Sequence, residues 1–308
     1  MDGIKLEDID NPFSDIWAEV PRPFMPSRLG EVARRQFTTI FRNPAQYLVR
    51  YIGIAVLTTF ISASYAELQN DPYLESQTTF KVGLISMVVG TTVGISNPVL
   101  ELFQKTRPIF FHERRQQLYG STDYFLALVL VELSMFVIIP GLFFTGMMYW
   151  AGSMNPDASR VGLGLTFGVM STAVGSSFFT TLGLATPNMG VAMPIMAVAT
   201  LVYQMFQGYL VRNKDIAKWI RWVSVLVPTD YTFHGWVENE FAGVEIDCDE
   251  SGGDDCMQGD DIVEYWGADM HPSNKWGDAI VLLGFIITQF AIGGAVLGVL
   301  GEQLRKAK

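Results

Sequence analysis

Few residues in this sequence have the types and spacing that catalysis requires. The three histidines, His112, His234 and His271, lie on different predicted loops, and no H-E-x-x-H or G-x-S-x-G motif occurs. A P-loop holds phosphates with a glycine-rich turn and a lysine, yet no G-x-x-x-x-G-K-[ST] motif is present, nor any Gly-Lys pair. The sequence therefore predicts that this chain has no catalytic centre and binds no ATP by itself.

The two cysteines, Cys248 and Cys256, both lie in a strongly acidic segment. Zinc sites combine thiolates with further cysteines or histidines, whereas here the two cysteines lie among carboxylates and have no histidine nearby. We therefore expect no metal site. On an oxidising face of the membrane the expected state is a disulfide between them.

Glu132 is the one carboxylate well inside a long apolar stretch of the sequence. An ionisable group inside a membrane is costly and marks a functional candidate. The alternative is a structural role, as the partner of a Ser or Thr on a neighbouring helix or of Arg50. Residue type and position leave both roles open.

The elements that must position these residues are transmembrane helices. Of the 308 residues, 49% are hydrophobic and 17% are charged, against about 25% charged in a soluble domain. Six stretches reach the roughly 20 apolar residues that a helix needs to cross a bilayer. They are 45–66, 79–99, 124–150, 161–185, 191–211 and 279–300. None alternates with period two, so we predict an all-α polytopic membrane protein with six spans.

The distribution of Lys and Arg predicts that both termini are cytoplasmic. Thirteen basic residues lie in 1–44, 101–119 and the tail, whereas 67–78 and 151–160 contain only Arg160. Four basic residues after the fifth span disagree: Arg212, Lys214, Lys218 and Arg221. Long translocated segments are largely exempt from the rule. The segment 212–278 has 5 basic and 15 acidic residues, so it accounts for the whole net charge of −10. Because the chain as a whole is acidic, we expect no nucleic-acid partner.

The chain divides into five parts by composition. Residues 1–26 form a linker, 27–44 an amphipathic helix, 45–211 the first five spans, 212–278 a small external re-entrant and acidic domain, and 279–308 the sixth span and tail. Leu29, Ala33, Phe37, Ile40 and Phe41 give the amphipathic helix its apolar face. It is either a connecting element or only an interfacial anchor. Glycines in the fourth span, and Gly294 and Gly298 in the sixth, predict close helix packing.

The inner loop 101–119 combines apolar and charged residues more densely than a passive connection requires. We predict a short cytoplasmic helix at 109–119 that docks into a partner, and a solvated loop is the alternative. The residues concerned are Ile109, Phe110, Phe111, Glu113, Arg114 and Arg115.

Three separated motifs resemble the membrane domains of the subfamily G, pleiotropic-drug-resistance type ABC transporters. The first is Arg42-Asn43-Pro44 with Arg50 following, and the second is Glu101-Leu102-Phe103 with the run Pro108 to Arg114 and Tyr119. The third is Pro228 and Tyr231, then Asn239-Glu240-Phe241, Gly243 and Cys248. They occur in the family's order and with matching spacings over nearly the whole chain.

The resemblance implies roles for individual residues. Residues 26–42 would be the connecting helix and 109–119 the coupling helix, both touching a nucleotide-binding domain. The substrate cavity would be lined by Thr91, Gly94, Leu201 and Gln204, with an outer valve at Gly208, Tyr209 and Leu210. Family members that clamp flat hydrophobic drugs carry an aromatic residue where this chain has Gly94.

We therefore expect the substrate-pathway half of an ATP-driven exporter of lipids, sterols or amphipathic hydrophobic compounds. ATP and Mg²⁺ would bind to an associated nucleotide-binding domain, and a second transmembrane half would complete the pathway as a homo- or heterodimer. The expected location is the plasma membrane. The alternative is a non-transporting relative that scaffolds or regulates a full transporter. A secondary transporter is disfavoured, because Glu132 is the single intramembrane charge that fits one.

Overall fold

The computed structural model describes residues 26–42, 44–65, 75–116, 118–246, 258–266 and 274–306, and it is helical through most of this part of the chain. In chain order its α-helices are α1 (Pro26–Arg42), α2 (Pro44–Tyr65), α3 (Glu75–Ile95), α4 (Pro98–Arg115), α5 (Ser121–Val131), α6 (Ile139–Ala151), α7 (Ala158–Ala185), α8 (Met189–Met205), α9 (Trp222–Val225), α10 (Pro228–Phe241), α11 (Gly259–Trp266) and α12 (Lys275–Lys306). The all-α prediction is confirmed for these residues.

Four helical runs in the described part are long and apolar enough to cross a membrane. They are Thr78–Arg114, Ser121–Ala151, Ala158–Ala185 and Lys275–Leu300. The helix at the predicted fifth span, Met189–Met205, is shorter, and α2 occupies the predicted first span. The chain is thus an integral membrane protein, while the number of six spans stays a prediction.

The boundaries of two predicted spans differ from the structure. The second stretch ends at Ile95, a turn follows at Ser96 and Asn97, and α4 begins at Pro98, where the missing proline N–H costs no helical hydrogen bond. Residues 109–115 are consequently the last turns of α4 and not a separate helix at 109–119. Helix α8 stops before residue 211 because Gly208 has a φ of +97°, which a helix cannot accommodate.

The third stretch is interrupted in its middle by a π-helical segment. Glu132–Ile138 joins α5 to α6, and Glu132 is its first residue. Such wide turns are rare in helices and occur mostly at functional sites. Glu132, the ionisable residue deep in this stretch, therefore lies at the start of the π-helical segment that interrupts the helix.

Helix α7 is the centre of the bundle, since it packs against α3, α4, α6, α10 and α12. Its buried face is rich in Gly, Ser and Thr, which allows neighbouring helices to approach closely. A Cβ atom at Gly175 would lie 2.5 Å from the carbonyl oxygen of Val93 on α3. The packing role predicted for the glycines of the fourth span is confirmed at Gly175. It is wrong for Gly162 and for Gly298, because a Cβ atom at either position would meet nothing within 4 Å.

The amphipathic helix predicted at 27–44 is α1, which packs on α5 and α2. Val32 and Ala33 are buried, Leu29 and Phe37 are half-buried, and Glu31 and Arg34 are exposed. Phe41, which belongs to the same predicted apolar face, is largely exposed. The side chain of Ile40 lies outside the described residues.

Replacing Gly175 by alanine should destabilise the bundle, because the added methyl group would collide with the backbone of α3. Overpacking of this kind costs about 1–3 kcal/mol. Thermal unfolding of the purified chain in detergent measures the effect. Gly162→Ala on the same helix is the matched control, since a Cβ atom there has open space. Equal melting temperatures for the two variants would contradict the assigned contact between α3 and α7.

Candidate functional site

The end of α4 is joined to α1 by a two-pronged ion pair. Nη1 and Nη2 of Arg35 donate to Oε1 and Oε2 of Glu113 at 2.7 and 2.8 Å. The hydroxyl of Tyr119 also donates to Glu113, and burial raises the pKa of Tyr119, so the phenol keeps its proton. Bidentate pairing fixes orientation as well as adding energy. The two helices predicted to touch a partner domain are thus joined to each other.

Phe110 anchors the end of α4 inside the chain. It is buried, and its ring centroid lies 4.8 Å from that of Tyr124. Ile109, by contrast, is 55% exposed, and Phe111 is half-buried beneath the guanidinium of Arg107. Of the three predicted apolar docking residues, Ile109 is therefore the one most accessible to a partner.

The structure describes the side chain of only one of the two predicted coupling arginines, Arg114. Nη1 of Arg114 donates to the backbone carbonyl of Tyr119 at 3.2 Å, which closes the turn after α4. The side chain of Arg115 lies outside the described residues. Sequence reasoning missed Arg107, whose Nη1 donates to the carbonyl of Thr186 at 2.6 Å and so links α4 to the end of α7.

Glu132 is paired with Arg50, the structural partner that the sequence offered. Nη2 of Arg50 lies 3.2 Å from Oε1 of Glu132, and both side chains are buried. The guanidinium also covers the ring of Phe136 at 4.6 Å, and Tyr51 donates to the carbonyl of Met135. Helix α2 is therefore attached to the π-helical segment through a buried charge pair.

The predicted cavity residues lie on two helices that meet, α3 and α8. A Cβ atom at Gly94 would meet nothing within 4 Å, and Thr91 on the same helix is partly exposed. Gln204 reaches α3, since its Oε1 would lie 2.2 Å from a Cβ atom at Gly90. Leu201 is 63% exposed. Gln204 thus contacts α3, whereas Thr91, Gly94 and Leu201 are at least partly accessible.

The three predicted valve residues have different environments. Gly208 is buried with its positive φ, and Tyr209 stacks on Trp266 of α11 with ring centroids 5.4 Å apart. A Cβ atom at Gly83 of α3 would lie 3.0 Å from the hydroxyl of Tyr209. Leu210 is exposed. Tyr209 thus closes against the chain's own helices, whereas Leu210 faces away from them.

A buried charge pair that sequence reasoning missed lies near the start of α3. Nζ of Lys81 donates to the carbonyl of Ser153 at 2.9 Å and lies 4.0 Å from Oε1 of Glu240. The backbone N–H of Asn155 donates to the same carboxylate oxygen at 2.6 Å, and burial raises the pKa of Glu240. The sequence signal was a lysine just inside the predicted second span.

The predicted disulfide between Cys248 and Cys256 lies outside the described residues and stays a prediction. Across the described ranges, no group of three or more His, Cys, Asp or Glu side chains could hold a metal ion. Two of the histidines lie on helices and not on loops as expected, His112 on α4 and His234 on α10. His271 is not described.

A helical bundle with membrane-crossing runs and buried charge pairs defines an integral membrane domain. A protein-family profile described as ABC-2 type transporter matches residues 28–241. The chain belongs to the ABC-2 type transporter family.

Its relatives are transporters of the ABCG group. The broad substrate specificity ATP-binding cassette transporter ABCG2 of Rattus norvegicus is 23% identical over 264 residues, covering 83% of this chain and 40% of that protein. ABC transporter G family member 22 of Dictyostelium discoideum is 25% identical over 264 residues, covering 84% and 40%. The ABC-type transporter eriD of Hericium erinaceus is 24% identical over 288 residues, covering 85% and 19%. The chain thus spans about 40% of the length of the first two relatives.

Removing one member of the Arg50–Glu132 pair should be much more damaging than removing both. Glu132→Gln leaves a buried guanidinium without its counter-charge, and such losses cost about 3–5 kcal/mol, whereas apolar replacement of both partners is often neutral. The measurement is the thermal stability of Glu132→Gln, Arg50→Met and the Arg50→Met/Glu132→Met pair in lipid nanodiscs. A double variant that loses the sum of the two single effects would show that the residues do not act as a pair.

Proposed function

We propose that this chain is the substrate-pathway half of an ATP-driven exporter of lipids, sterols or amphipathic hydrophobic compounds. The observation that carries the proposal is the ion pair of Arg35 with Glu113, which joins α1 to the inner end of α4. A force applied to either helix is passed to the other, because a bidentate pair resists rotation as well as separation. This is the property that a lever between a motor domain and a bundle needs.

The motor is an ATP-binding partner domain. This chain contributes no P-loop sequence, and the three relatives named above are all described as ATP-binding cassette or ABC transporters. ATP and Mg²⁺ would bind there, and closure of the partner would push on the exposed Ile109 and on the reinforced end of α4. The proposed orientation has both termini in the cytoplasm, and the proposed membrane is the plasma membrane.

A second transmembrane half would complete the pathway. Helix α8 packs only lightly on this chain, with Ala192 as its one buried residue. Its exposed apolar side chains include Val198, Leu201 and Met205. Together with the open positions at Thr91 and Gly94 they offer an apolar surface of the kind that would line a path for amphipathic molecules. A homodimer and a heterodimer both satisfy this requirement.

The second candidate function is a scaffold or regulator of a full transporter. It would use the same apolar surfaces but need no force-bearing link between α1 and α4. ATP-dependent transport by proteoliposomes that contain this chain with a nucleotide-binding partner distinguishes the two. Dimerisation without any transport would favour the scaffold.

Reversing one charge of the Arg35–Glu113 pair should uncouple ATP hydrolysis from transport, and reversing both should restore coupling. Arg35→Glu and Glu113→Arg each place like charges together, while the double variant rebuilds an ion pair at the same place. The guanidinium is partly exposed, so we expect only about 1 kcal/mol of stability to be lost in each single variant. The quantity to measure is substrate-stimulated ATP hydrolysis by the assembled transporter.

The exposed pair of Glu101 with Lys105 provides the matched control on the same helix. Nζ of Lys105 lies 2.6 Å from Oε1 of Glu101, one helical turn away. Reversing either charge there should leave coupling unchanged, because solvated pairs contribute little. Single reversals at Arg35 and Glu113 that behave like this control would argue against the lever.

A further inference from the structure

Two glutamines at the C-terminal end of α8 reach across to α3. Gln204 lies in the last turn of α8, and its Oε1 approaches Gly90 so closely that a Cβ atom there would be only 2.2 Å away. Just after the helix, Nε2 of Gln207 donates to Oγ of Ser86. Gly90 and Ser86 are four residues apart on α3, so the two amides meet neighbouring turns of that helix. The contact between α3 and α8 is thus polar at two successive places.

The amide of Gln204 has hydrogen-bonding capacity that the chain does not use. Gln204 is half-buried, and no residue of the described ranges hydrogen-bonds to its amide. Oε1 of the fully buried Gln207 is a second polar atom without a partner in these ranges. A primary amide offers two N–H groups and a carbonyl oxygen with two lone pairs. Because an unpaired polar group in apolar surroundings is unfavourable, Gln204 favours an occupant that brings a hydrogen-bonding group.

The face of α3 beside Gln204 is a strip that is nearly free of side chains. Its residues follow the spacing of one helix face, and all are at least partly exposed: Gly83, Met87, Gly90 and Gly94. On α8, Leu201 and Met205 stand on either side of Gln204 in the sequence, and both are exposed apolar residues. The Gln204 amide therefore meets a flat, apolar and accessible surface.

An uncharged hydroxyl group is the ligand that suits an amide in this place. A hydroxyl both donates and accepts, so it can pair with either end of the amide. An ionic headgroup would need a counter-charge, and neither Gln204 nor any residue of the strip carries one. Because dispersion attraction requires close contact, a flat strip suits a flat apolar body better than a branched one. The occupant that fits is a rigid amphipathic alcohol.

We propose that Gln204 is a specificity-determining residue that binds the hydroxyl group of a rigid amphipathic alcohol, such as a sterol, on the strip of α3. That this alcohol is the transported compound rests on the proposed function, whereas its binding does not. Gly90 is part of the site, because a residue with a Cβ atom would leave no room for the Gln204 amide. The bond of Gln207 to Ser86 holds the two helices together next to it.

Sterol analogues that differ only in the hydroxyl group test this preference. Purified chain in detergent should bind dehydroergosterol, a fluorescent sterol alcohol, saturably, as measured by energy transfer from tryptophan. Cholesterol should displace it with an apparent Kd about tenfold lower than that of 5-cholestene, which lacks the hydroxyl group, because one hydrogen bond in a partly open site is lost. Absence of saturable binding, or equal displacement by the two analogues, would overturn the proposal.

Three variants assign the preference to Gln204. Gln204→Leu should make cholesterol and 5-cholestene equal competitors. Gly90→Ala should do the same with the amide still present, because the added methyl group displaces the end of the Gln204 side chain. Thr200→Val is the matched control on α8 and should keep the tenfold preference, since Oγ1 of Thr200 already donates to the carbonyl of Met196 at 2.9 Å. A preference that survives Gln204→Leu in folded chain would refute the role of Gln204.

The other possible partner of the Gln204 amide is a residue of a second transmembrane half. In that case Gln204→Leu would turn dimer into monomer in light scattering and leave the ratio of the two Kd values unchanged, which would overturn the proposal. None of these measurements needs ATP or transport. A chain with a Gln204-dependent preference that transports nothing would refute the proposed function alone, and transport by an assembled complex without the preference would refute only the role of Gln204.

Discussion

A polar group inside a bilayer has no water to bond with, and this constraint governs the whole chain. It makes helices the only spanning structure available here, and it requires each charge near the bundle to find a partner within the protein. Arg50 meets Glu132, and Lys81 meets Glu240. Each pair joins elements distant in sequence, α2 to the π-helical segment and α3 to α10. Because an unpaired buried charge is unfavourable, each pair favours the helix arrangement in which its two partners meet.

Helix α7 connects α10 at one end of the bundle to α4 at the other. At its first turns, Arg160 donates to the carbonyls that end α10, at 3.1, 2.9 and 2.8 Å. At its other end, the carbonyl of Thr186 accepts from Arg107 of α4. A helix of 28 residues is about 42 Å long, so one element reaches from α10 to the end of α4. Helix α7 is therefore a continuous helical connection between α4 and α10.

Small residues make close packing around α7 possible. Where α7 meets α3 and α6, glycines allow backbone and hydroxyl groups of the neighbours to fill the space of a side chain. By contrast, α8 is exposed along most of its length, and Ala192 near its start is its one buried residue. The bundle therefore has a tightly packed centre, and α8 lies at its periphery with an apolar surface that is left for lipid or a second half.

The sequence by itself determined the helical membrane class, the amphipathic α1 and the family, because hydrophobic length, charge distribution and local motifs are properties of neighbouring residues. Only the tertiary structure decided which charges meet, since Arg35 and Glu113 are 78 residues apart and Lys81 and Glu240 are 159 apart. The structure also shows that residues 109–115 are the end of α4 and that Phe41 is largely exposed. Periodicity reports that a residue has an apolar side chain, but the packing of helices distant in sequence determines whether that side chain is covered.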